Sequence, residues 1–221
     1  MKGMVALIQH AYRTNPKTAE IVRAELSNEG KPIYDVEYMR ERSRAFIKEI
    51  NEFMQDYRVL CVSTHRDSDK MWSSYAENHK GIVLRIEPNV EKDSKFQLFH
   101  RVEYREKRPP LYDDTLDFIA GSLFGDQEAR RKAIVEKIIY TKTLQWQHEV
   151  EYRLAIPLRR GERSWNELPY HPEEITELYL GLAISREDKA EIVAVAKTLN
   201  PEMAIFQADR EANAKLIFNR I

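Results

Sequence analysis

The feature that most constrains the fold of this chain is a change of hydrophobic period at Tyr57. Between Tyr34 and Tyr57, apolar residues recur at spacings of three, four and seven residues, which is the pattern of an amphipathic helix with a charged outer face. After Tyr57 the apolar runs are short, rich in Val, Ile and Leu, and bounded by turn residues, which is typical of strands. Helices followed by strands interleaved with helices predict an α+β fold.

We expect one domain that spans residues 1–221, with a mixed, mostly antiparallel sheet and flanking helices. A helical N-terminal region is expected over residues 17–57, and the sheet-containing core over residues 57–221. A chain of 221 residues can bury a core of useful size without disulfide bonds.

Beyond Tyr57, the alternation of apolar runs and turn residues places the individual elements. Strands are predicted at residues 57–64, 81–87, 95–106, 148–158, 175–184, 203–210 and 214–221, and helices at residues 67–81, 113–140 and 185–200. Gly81 is expected to end the first of these helices in a left-handed conformation, and Ser185 to cap the last one.

Composition excludes several classes of protein. The net charge is −1, whereas a generally basic nucleic-acid-binding protein would carry a large positive charge. A patch of basic residues around Tyr104 is interrupted by Glu103 and Glu106, so contact with nucleic acid is a weak inference. No apolar stretch approaches the roughly 20 residues of a membrane span. We therefore expect a cytoplasmic protein without a membrane partner.

The cysteine and histidine pattern indicates no metal site. The chain has one cysteine, Cys61, which cannot form an internal disulfide and lacks the paired spacing of a zinc site. Because Cys61 lies within the apolar run YRVLCVS, it is expected to be a small core side chain. The histidines are scattered without the spacing of metal ligands, so no metal is expected.

A pair of carboxylates lies in the segment WQHEVEYRLAI. If this segment is a strand, Glu149 and Glu151 lie on one face, about 7 Å apart, and Arg153 on the same face can offset their mutual repulsion. One interpretation is a solvated sheet face with a local ion pair. The other is a carboxylate pair that lines a cleft and stabilises positive charge on a sugar carbon. The opposite face, expected to be buried, carries Trp146, Val150, Tyr152, Leu154 and Ile156.

The segment DKMWSSYAENHKG raises a similar choice between packing and binding. Trp72 is expected to anchor its helix on the sheet, and Tyr75 and His79 to be exposed on the cleft side. In the binding interpretation, Tyr75 presents an aromatic face and Ser73 or Ser74 a hydroxyl to a planar ligand, together with Ser63 at the preceding strand end. In the alternative, these aromatic side chains only pack the helix and the loop is an ordinary polar one.

Three segments together resemble a bacterial family known as domain-of-unknown-function family 2971. They are LCVSTHRDSDKMWSSYAENHKGIVLRIE, TKTLQWQHEVEYRL and ITELYLGLAIS, and the resemblance covers about residues 57–221. Members usually begin with a strand, a helix and an Asn-Asp-Pro-Phe-like turn, which this chain lacks; if that strand carries part of a site, the catalytic set is incomplete here. The residues that carry the resemblance are Met71, Trp72, Tyr75, His79, Gly81, Trp146, Glu149, Glu151, Arg153 and Gly181.

A looser similarity connects the serine-bearing strand, the aromatic helix and the Glu-x-Glu strand with ADP-ribosyltransferases. That similarity implies a nucleotide-directed transferase that uses NAD, with Glu151 and Glu149 as catalytic residues. Tyr75, Ser63, Ser74, His79 and Arg153 would then bind the ligand. The family resemblance suggests a setting in bacterial stress, toxin action or phage defence. The alternative is a non-catalytic module that binds a nucleotide, another small molecule or a protein partner in the same cleft.

Overall fold

The structure, a computed structural model, describes residues 36–111, 127–157 and 168–221. The part of the expected helical N-terminal region that precedes residue 36 and the first part of the helix expected over residues 113–140 lie outside the described residues. In chain order the helices and strands are α1 (Val36–Gln55), β1 (Tyr57–Ser63), α2 (Asp69–Tyr75), β2 (Ile82–Ile86), β3 (His100–Arg101), β4 (Glu103–Arg105), α3 (Gln127–Ile139), β5 (Thr141–Thr143), β6 (Glu151–Pro157), β7 (Ile175–Leu180), α4 (Arg186–Leu199), β8 (Ala204–Arg210) and β9 (Leu216–Arg220). Short 3₁₀-helices lie at Lys95–Leu98, Leu144–Glu149 and Pro172–Glu174.

The described residues form two compact units. The first unit contains residues 36–58, 103–111, 127–144 and 156–157. The second unit contains residues 59–102, 145–155 and 168–221. Among the described residues, the chain passes from one unit to the other within β1, at residues 102–103, at residues 144–145 and within β6. The expectation that residues 1–221 form a single domain stays a prediction.

In the first unit, α1 and α3 pack through apolar side chains. Phe46, Ile50 and Ile134 are buried there, and burial of a large apolar side chain contributes about 1.5–3 kcal/mol. The spacing of four between Phe46 and Ile50 places both on one helix face. The expected long amphipathic helix before Tyr57 is confirmed. The short strands β4 and β5 pair in parallel.

In the second unit, a four-stranded sheet lies between two helices. Its order is β2-β7-β8-β9; β7 and β8 are parallel, and the other two pairs are antiparallel. Successive side chains of β7 point to opposite faces of the sheet. Leu178 and Leu180 therefore pack with the α4 side chains, and Tyr179 packs with Trp72 of α2. The residue Ser185 caps α4 as expected, since its hydroxyl accepts from the N–H of Asp188.

The remaining strands form smaller sheets. The order β1-β6-β3 makes a three-stranded sheet, and β4-β5 a two-stranded one. The α+β class with mostly antiparallel pairing is therefore confirmed, although the described strands are divided among three sheets. The strand expected over residues 95–106 is broken into a 3₁₀-helix, β3 and β4. Among the described residues, no helix is long and apolar enough to span a membrane.

A tight turn joins α2 to β2, and its geometry differs from the expected one. The left-handed residues are Glu77, Asn78 and His79, with φ of 47°, 51° and 66°, whereas Gly81 is not in the left-handed range of φ. Each such residue with a side chain costs about 1–2 kcal/mol, so the surroundings must hold the turn. The His79 oxygen accepts from the N–H of Ala183 at 2.9 Å, and the Gly81 oxygen from the N–H of Gly181 at 3.0 Å.

Gly181 permits this close approach of two backbone segments. A Cβ at position 181 would lie 2.0 Å from the His79 oxygen and 2.8 Å from the Gly81 oxygen. Both neighbours are backbone atoms in a strained turn, so they cannot move aside cheaply. The absence of a side chain at Gly181 therefore decides whether the turn can pack against the end of β7.

We predict that Gly181→Ala lowers the free energy of unfolding by roughly 4 kcal/mol or more, because the new methyl group must displace backbone. The matched control is Gly81→Ala, whose Cβ would lie 3.1 Å from the Ala76 Cα and should cost less. Urea denaturation of both variants measures the difference. Equal loss of stability in the two variants would show that the Gly181 contact has no special role.

Candidate functional site

A cleft of about 940 Å³ lies within the second unit. It is lined by the end of β1, the following loop, one side of α2 and the whole of β2. The remaining lining residues are Pro88, Phe96, Phe99, Tyr152 and Tyr179. The volume is at the upper end of the range for small-molecule sites, and the mainly apolar and aromatic lining with a few polar groups is typical of them.

Trp72, Tyr75 and Tyr179 form the aromatic part of the lining. Trp72 is buried as predicted, and its indole N–H donates to the Arg66 oxygen at 2.6 Å. Tyr75 is 64% exposed, as predicted for the cleft side of the helix, and its hydroxyl donates to Glu149 Oε1 at 2.7 Å. The exposed ring of Tyr75 is thus fixed in orientation by a buried carboxylate.

A second polar contact holds the same loop. The Ser63 hydroxyl donates to the Glu149 backbone oxygen at 2.6 Å, and Ser63 lines the cleft as predicted. Glu149 is followed by Val150 in a left-handed conformation, with φ of 43°. A β-branched residue in that region is an outlier, and backbone strain of this kind clusters at functional sites. The Ser63, Tyr75 and Glu149 contacts therefore converge on a strained point of the chain beside the cleft.

Arg66 supplies a cation at the cleft. Its guanidinium lies 5.1 Å from the ring centroid of Tyr179 and 5.8 Å from that of Phe218. Its Nη1 donates to the Tyr179 hydroxyl at 2.8 Å and lies 3.8 Å from a Glu177 oxygen, while its side chain is 54% exposed. Among the described residues, Nε and Nη2 of Arg66 have no hydrogen-bond partner. Stacking and one hydrogen bond orient the group while most of its donors stay available.

Glu177 and Tyr179 form a coupled acid and phenol next to Arg66. The Tyr179 hydroxyl donates to Glu177, and Arg85 donates to the same carboxylate at 3.0 Å. Burial raises the pKa of Glu177, but the hydrogen bonds from Tyr179 and Arg85 lower it more, so its pKa lies below the ordinary value. Burial and the hydrogen bond to Glu177 raise the pKa of Tyr179. The carboxylate stays ionised and the phenol protonated at neutral pH.

The predicted register of the carboxylate segment was wrong. Residues up to Glu149 form a 3₁₀-helix, and β6 begins only at Glu151. The left-handed Val150 separates the two, so strict alternation cannot relate their side chains. Leu154 is buried as expected and Tyr152 only partly, whereas Trp146 is 39% exposed.

The carboxylates themselves are buried, at 2% exposure for Glu149 and 6% for Glu151. Neither side chain lines the cleft. Arg153 holds Glu151 in a two-pronged ion pair, with distances of 2.8 Å from Nε to Oε1 and 3.0 Å from Nη2 to Oε2. Burial lowers the pKa of Arg153, but the hydrogen bond and the charge of Glu151 together raise it by more. The pKa of Arg153 is therefore above its ordinary value. The local ion pair of the first interpretation is therefore present, but the solvated sheet face is not, because both carboxylates are buried.

His79 and Ser74 are not brought to the cleft lining. His79 was expected to be exposed but is buried, because its ring stacks on Trp72 with a centroid separation of 6.0 Å. Its Nε2 lies 3.3 Å from Asp69 and 3.4 Å from the Ser73 hydroxyl. Since both partners meet the same nitrogen, these residues cannot form a nucleophile, base and acid relay, in which each partner uses its own nitrogen.

Sequence reasoning missed Arg66, Arg85, Tyr179 and Cys61 as cleft residues. Arg66 follows a strand end in the loop STHRDSD, and such loops often carry binding residues, so position in the chain was the available signal. Arg85 and Tyr179 are on β2 and β7, and only strand pairing brings them together. Cys61 was expected in the core but is exposed, because β1 turns that side chain toward the cleft.

The comparison with protein families supports the resemblance drawn from the motifs. Residues 71–154 match the family described as "Protein of unknown function (DUF2971)". The matched segment runs from Met71, at the cleft, to Leu154, just beyond the Glu151–Arg153 pair. No curated protein and no solved structure matches the chain. The looser likeness to ADP-ribosyltransferases has no support among these comparisons.

We predict that Glu151→Gln lowers the free energy of unfolding by about 2–3 kcal/mol, since it leaves the partly buried Arg153 without its counter-charge. The double variant that carries both Arg153→Met and Glu151→Gln should recover part of this loss, because it contains neither charge of the pair. Thermal or urea unfolding of the two variants provides the measurement. Unchanged stability in Glu151→Gln would show that the pair is not structural and would favour a catalytic role for Glu151.

Proposed function

We propose that the cleft binds a planar, anionic small molecule of the nucleotide class. The observation that carries this proposal is the preoriented Arg66 guanidinium, which stacks on Tyr179 and lines the same cleft as the exposed ring of Tyr75. A nucleotide offers the two complementary groups, a flat base and a phosphate.

Arg66 fits the phosphate part of such a ligand. A guanidinium can donate two parallel hydrogen bonds to phosphate oxygens, and Nη1 of Arg66 is already committed to Tyr179. The remaining donors, Nε and Nη2, lie on one edge of the guanidinium and have the geometry for two oxygens. Because Tyr179 holds the guanidinium in place, less side-chain entropy is lost when the ligand binds.

Tyr75 fits the planar part. Its ring is largely exposed while its hydroxyl is tied to Glu149, so the exposed surface of the ring is held in one orientation for stacking. Stacking of a base on an aromatic side chain contributes about 1–3 kcal/mol. Ser63 at the end of β1 adds a hydroxyl to the same lining.

We predict that adenosine triphosphate and NAD bind more tightly than adenosine, and that Arg66→Met weakens triphosphate binding about 10- to 100-fold while leaving adenosine binding nearly unchanged. Isothermal titration calorimetry at two salt concentrations measures this, and higher salt should weaken only the charged ligands. The matched control is Arg186→Met, which removes an exposed arginine from the start of α4. If no nucleotide raises the melting temperature or produces binding heat, the proposed function fails.

A second candidate function is NAD-dependent glycosyl transfer, in which the bond between nicotinamide and ribose breaks and an acceptor takes the ribosyl carbon. The observation that favours it is the hydrogen bond between Tyr75 and Glu149. Through this bond, a buried carboxylate contacts the hydroxyl of an exposed aromatic side chain. The carboxylates proposed for this chemistry are Glu149 and Glu151. Of the two, Glu149 contacts a cleft-lining side chain.

We predict that the chain releases nicotinamide from NAD and that Glu149→Gln slows release by about 10²-fold with little change in melting temperature, as expected for loss of one preorganised charged group. Chromatography of released nicotinamide gives the rate. Tyr75→Phe keeps the ring and removes the link to Glu149, so it should share the defect. If the wild type binds NAD without releasing nicotinamide, the non-catalytic binding module is the correct alternative.

A further inference from the structure

The strand β2 lines the cleft in an unusual way. All five of its residues, Ile82–Ile86, contribute to the lining, although successive side chains of a strand point to opposite faces. Ile82 and Ile86 pack against one core cluster and Val83 against another. A cleft that touches every residue of a strand, whichever way the side chain points, must run along the strand's edge.

That edge is open. In the sheet order β2-β7-β8-β9, β2 has a neighbour on one side only. The N–H of Gly181 donates to the Gly81 oxygen, and the pairing that continues from there sets Val83 opposite Tyr179 and Arg85 opposite Glu177. Because hydrogen-bonded pairs alternate in an antiparallel ladder, residues 83 and 85 turn their backbone groups toward β7.

The backbone N–H and C=O groups of Ile82, Leu84 and Ile86 therefore point away from β7, toward the cleft. The N–H of Glu87, which donates to the Glu174 oxygen beyond the β-bulge, keeps the same alternation. Among the described residues, no side chain or backbone group outside the sheet bonds to these three residues. Five residues of extended edge measure about 16 Å. This length is greater than that of a single aromatic ring of a small ligand.

The side chains at this edge indicate which kind of strand would fit. Leu84 is an apolar residue that is 46% exposed, so an apolar side chain directly opposite would cover it. Arg85 keeps 47% of its side chain exposed although it forms ion pairs with Glu177 and Glu87. A carboxylate opposite it on the added strand would therefore lie near the Arg85 guanidinium. The cleft lining includes Arg66, Arg85 and His65 but, among the described residues, only Asp67 as an acid.

We propose that the open edge of β2 binds an extended peptide of a partner protein by strand addition, with apolar and acidic residues alternating along it. The backbone of β2 supplies the hydrogen bonds, and Leu84 and Arg85 select the side chains opposite them. This site goes beyond the proposed nucleotide binding, because it depends on main-chain groups of β2 and not on the guanidinium of Arg66. The strand β2 contains neither proline nor lysine, two residues that commonly block such addition at an edge strand.

Synthetic peptides test the site without altering the protein. The probe is a fluorescent, amidated seven-residue peptide in which valine alternates with glutamate, and fluorescence anisotropy measures its binding. Methylation of the valine amide nitrogens or of the glutamate amide nitrogens removes donors from one edge of the peptide only. We expect one of these two peptides to bind about tenfold or more weakly and the other to bind almost normally. A peptide with lysine in place of glutamate should also lose about tenfold.

A variant of β2 tests the same site from the protein side. Leu84→Pro removes an N–H that points away from β7, which an edge strand tolerates, and should weaken the valine–glutamate peptide about tenfold. Leu84→Ala keeps the N–H and should lose much less. Binding of adenosine triphosphate to the wild type is measured separately, in the absence of peptide, so failure of the peptide to bind is distinguishable from failure of the proposed function.

Three outcomes would overturn the proposal. The first is equal binding, or equal loss, for the two methylated peptides. The second is unchanged peptide binding by a folded Leu84→Pro variant. The third is sedimentation of the wild type as a dimer that Leu84→Pro dissociates, because a second copy of the chain would then be the natural occupant of the edge.

Discussion

The contact between Gly181 and the backbone of His79–Gly81 is the constraint on which the rest of the second unit depends. It fixes the left-handed turn after α2 against the end of β7. Through that turn it sets where α2 lies on the sheet, with Trp72 packed beside Tyr179. Trp72 in turn holds the loop after β1 through its bond to the Arg66 oxygen. The position of Arg66 at the cleft thus depends on the absence of a side chain at Gly181.

Four of the five described non-glycine residues with a positive φ lie close to the cleft, and the fifth is Ala214 between β8 and β9. The left-handed residues Glu77–His79 follow α2 directly, and Val150 follows Glu149. Tyr75 and Glu149, which share a hydrogen bond, therefore each lie within two residues of a strained position. Strain persists only where packing overdetermines the conformation, and here the packed groups are the same ones that orient the exposed ring. This distribution agrees with a site that needs rigid placement more than stability.

The polar groups of the cleft act as one electrostatic set. Glu177 is shared by Tyr179, Arg85 and Arg66, and these contacts hold its pKa below the ordinary value. A fixed negative charge behind the two arginines keeps their guanidinium groups in place while a large part of each stays exposed. Such preorganisation suits recognition of anionic groups, either on a small ligand or on an acidic peptide, because little reorganisation is needed on binding.

The sequence by itself determined the α+β class, the helix before Tyr57, most of the strands and the burial of Trp72, because hydrophobic period and capping residues act locally. It also indicated Tyr75 and Ser63 as cleft residues. It could not determine the surroundings of Glu149, since a single left-handed residue at Val150 ends the alternation on which the prediction rested. Nor could it place His79, whose burial depends on stacking against Trp72. The roles of Arg66, Arg85 and Tyr179 were decided by tertiary structure alone, because the pairing of β2 with β7 and the packing of a distant loop bring together residues that no local pattern connects.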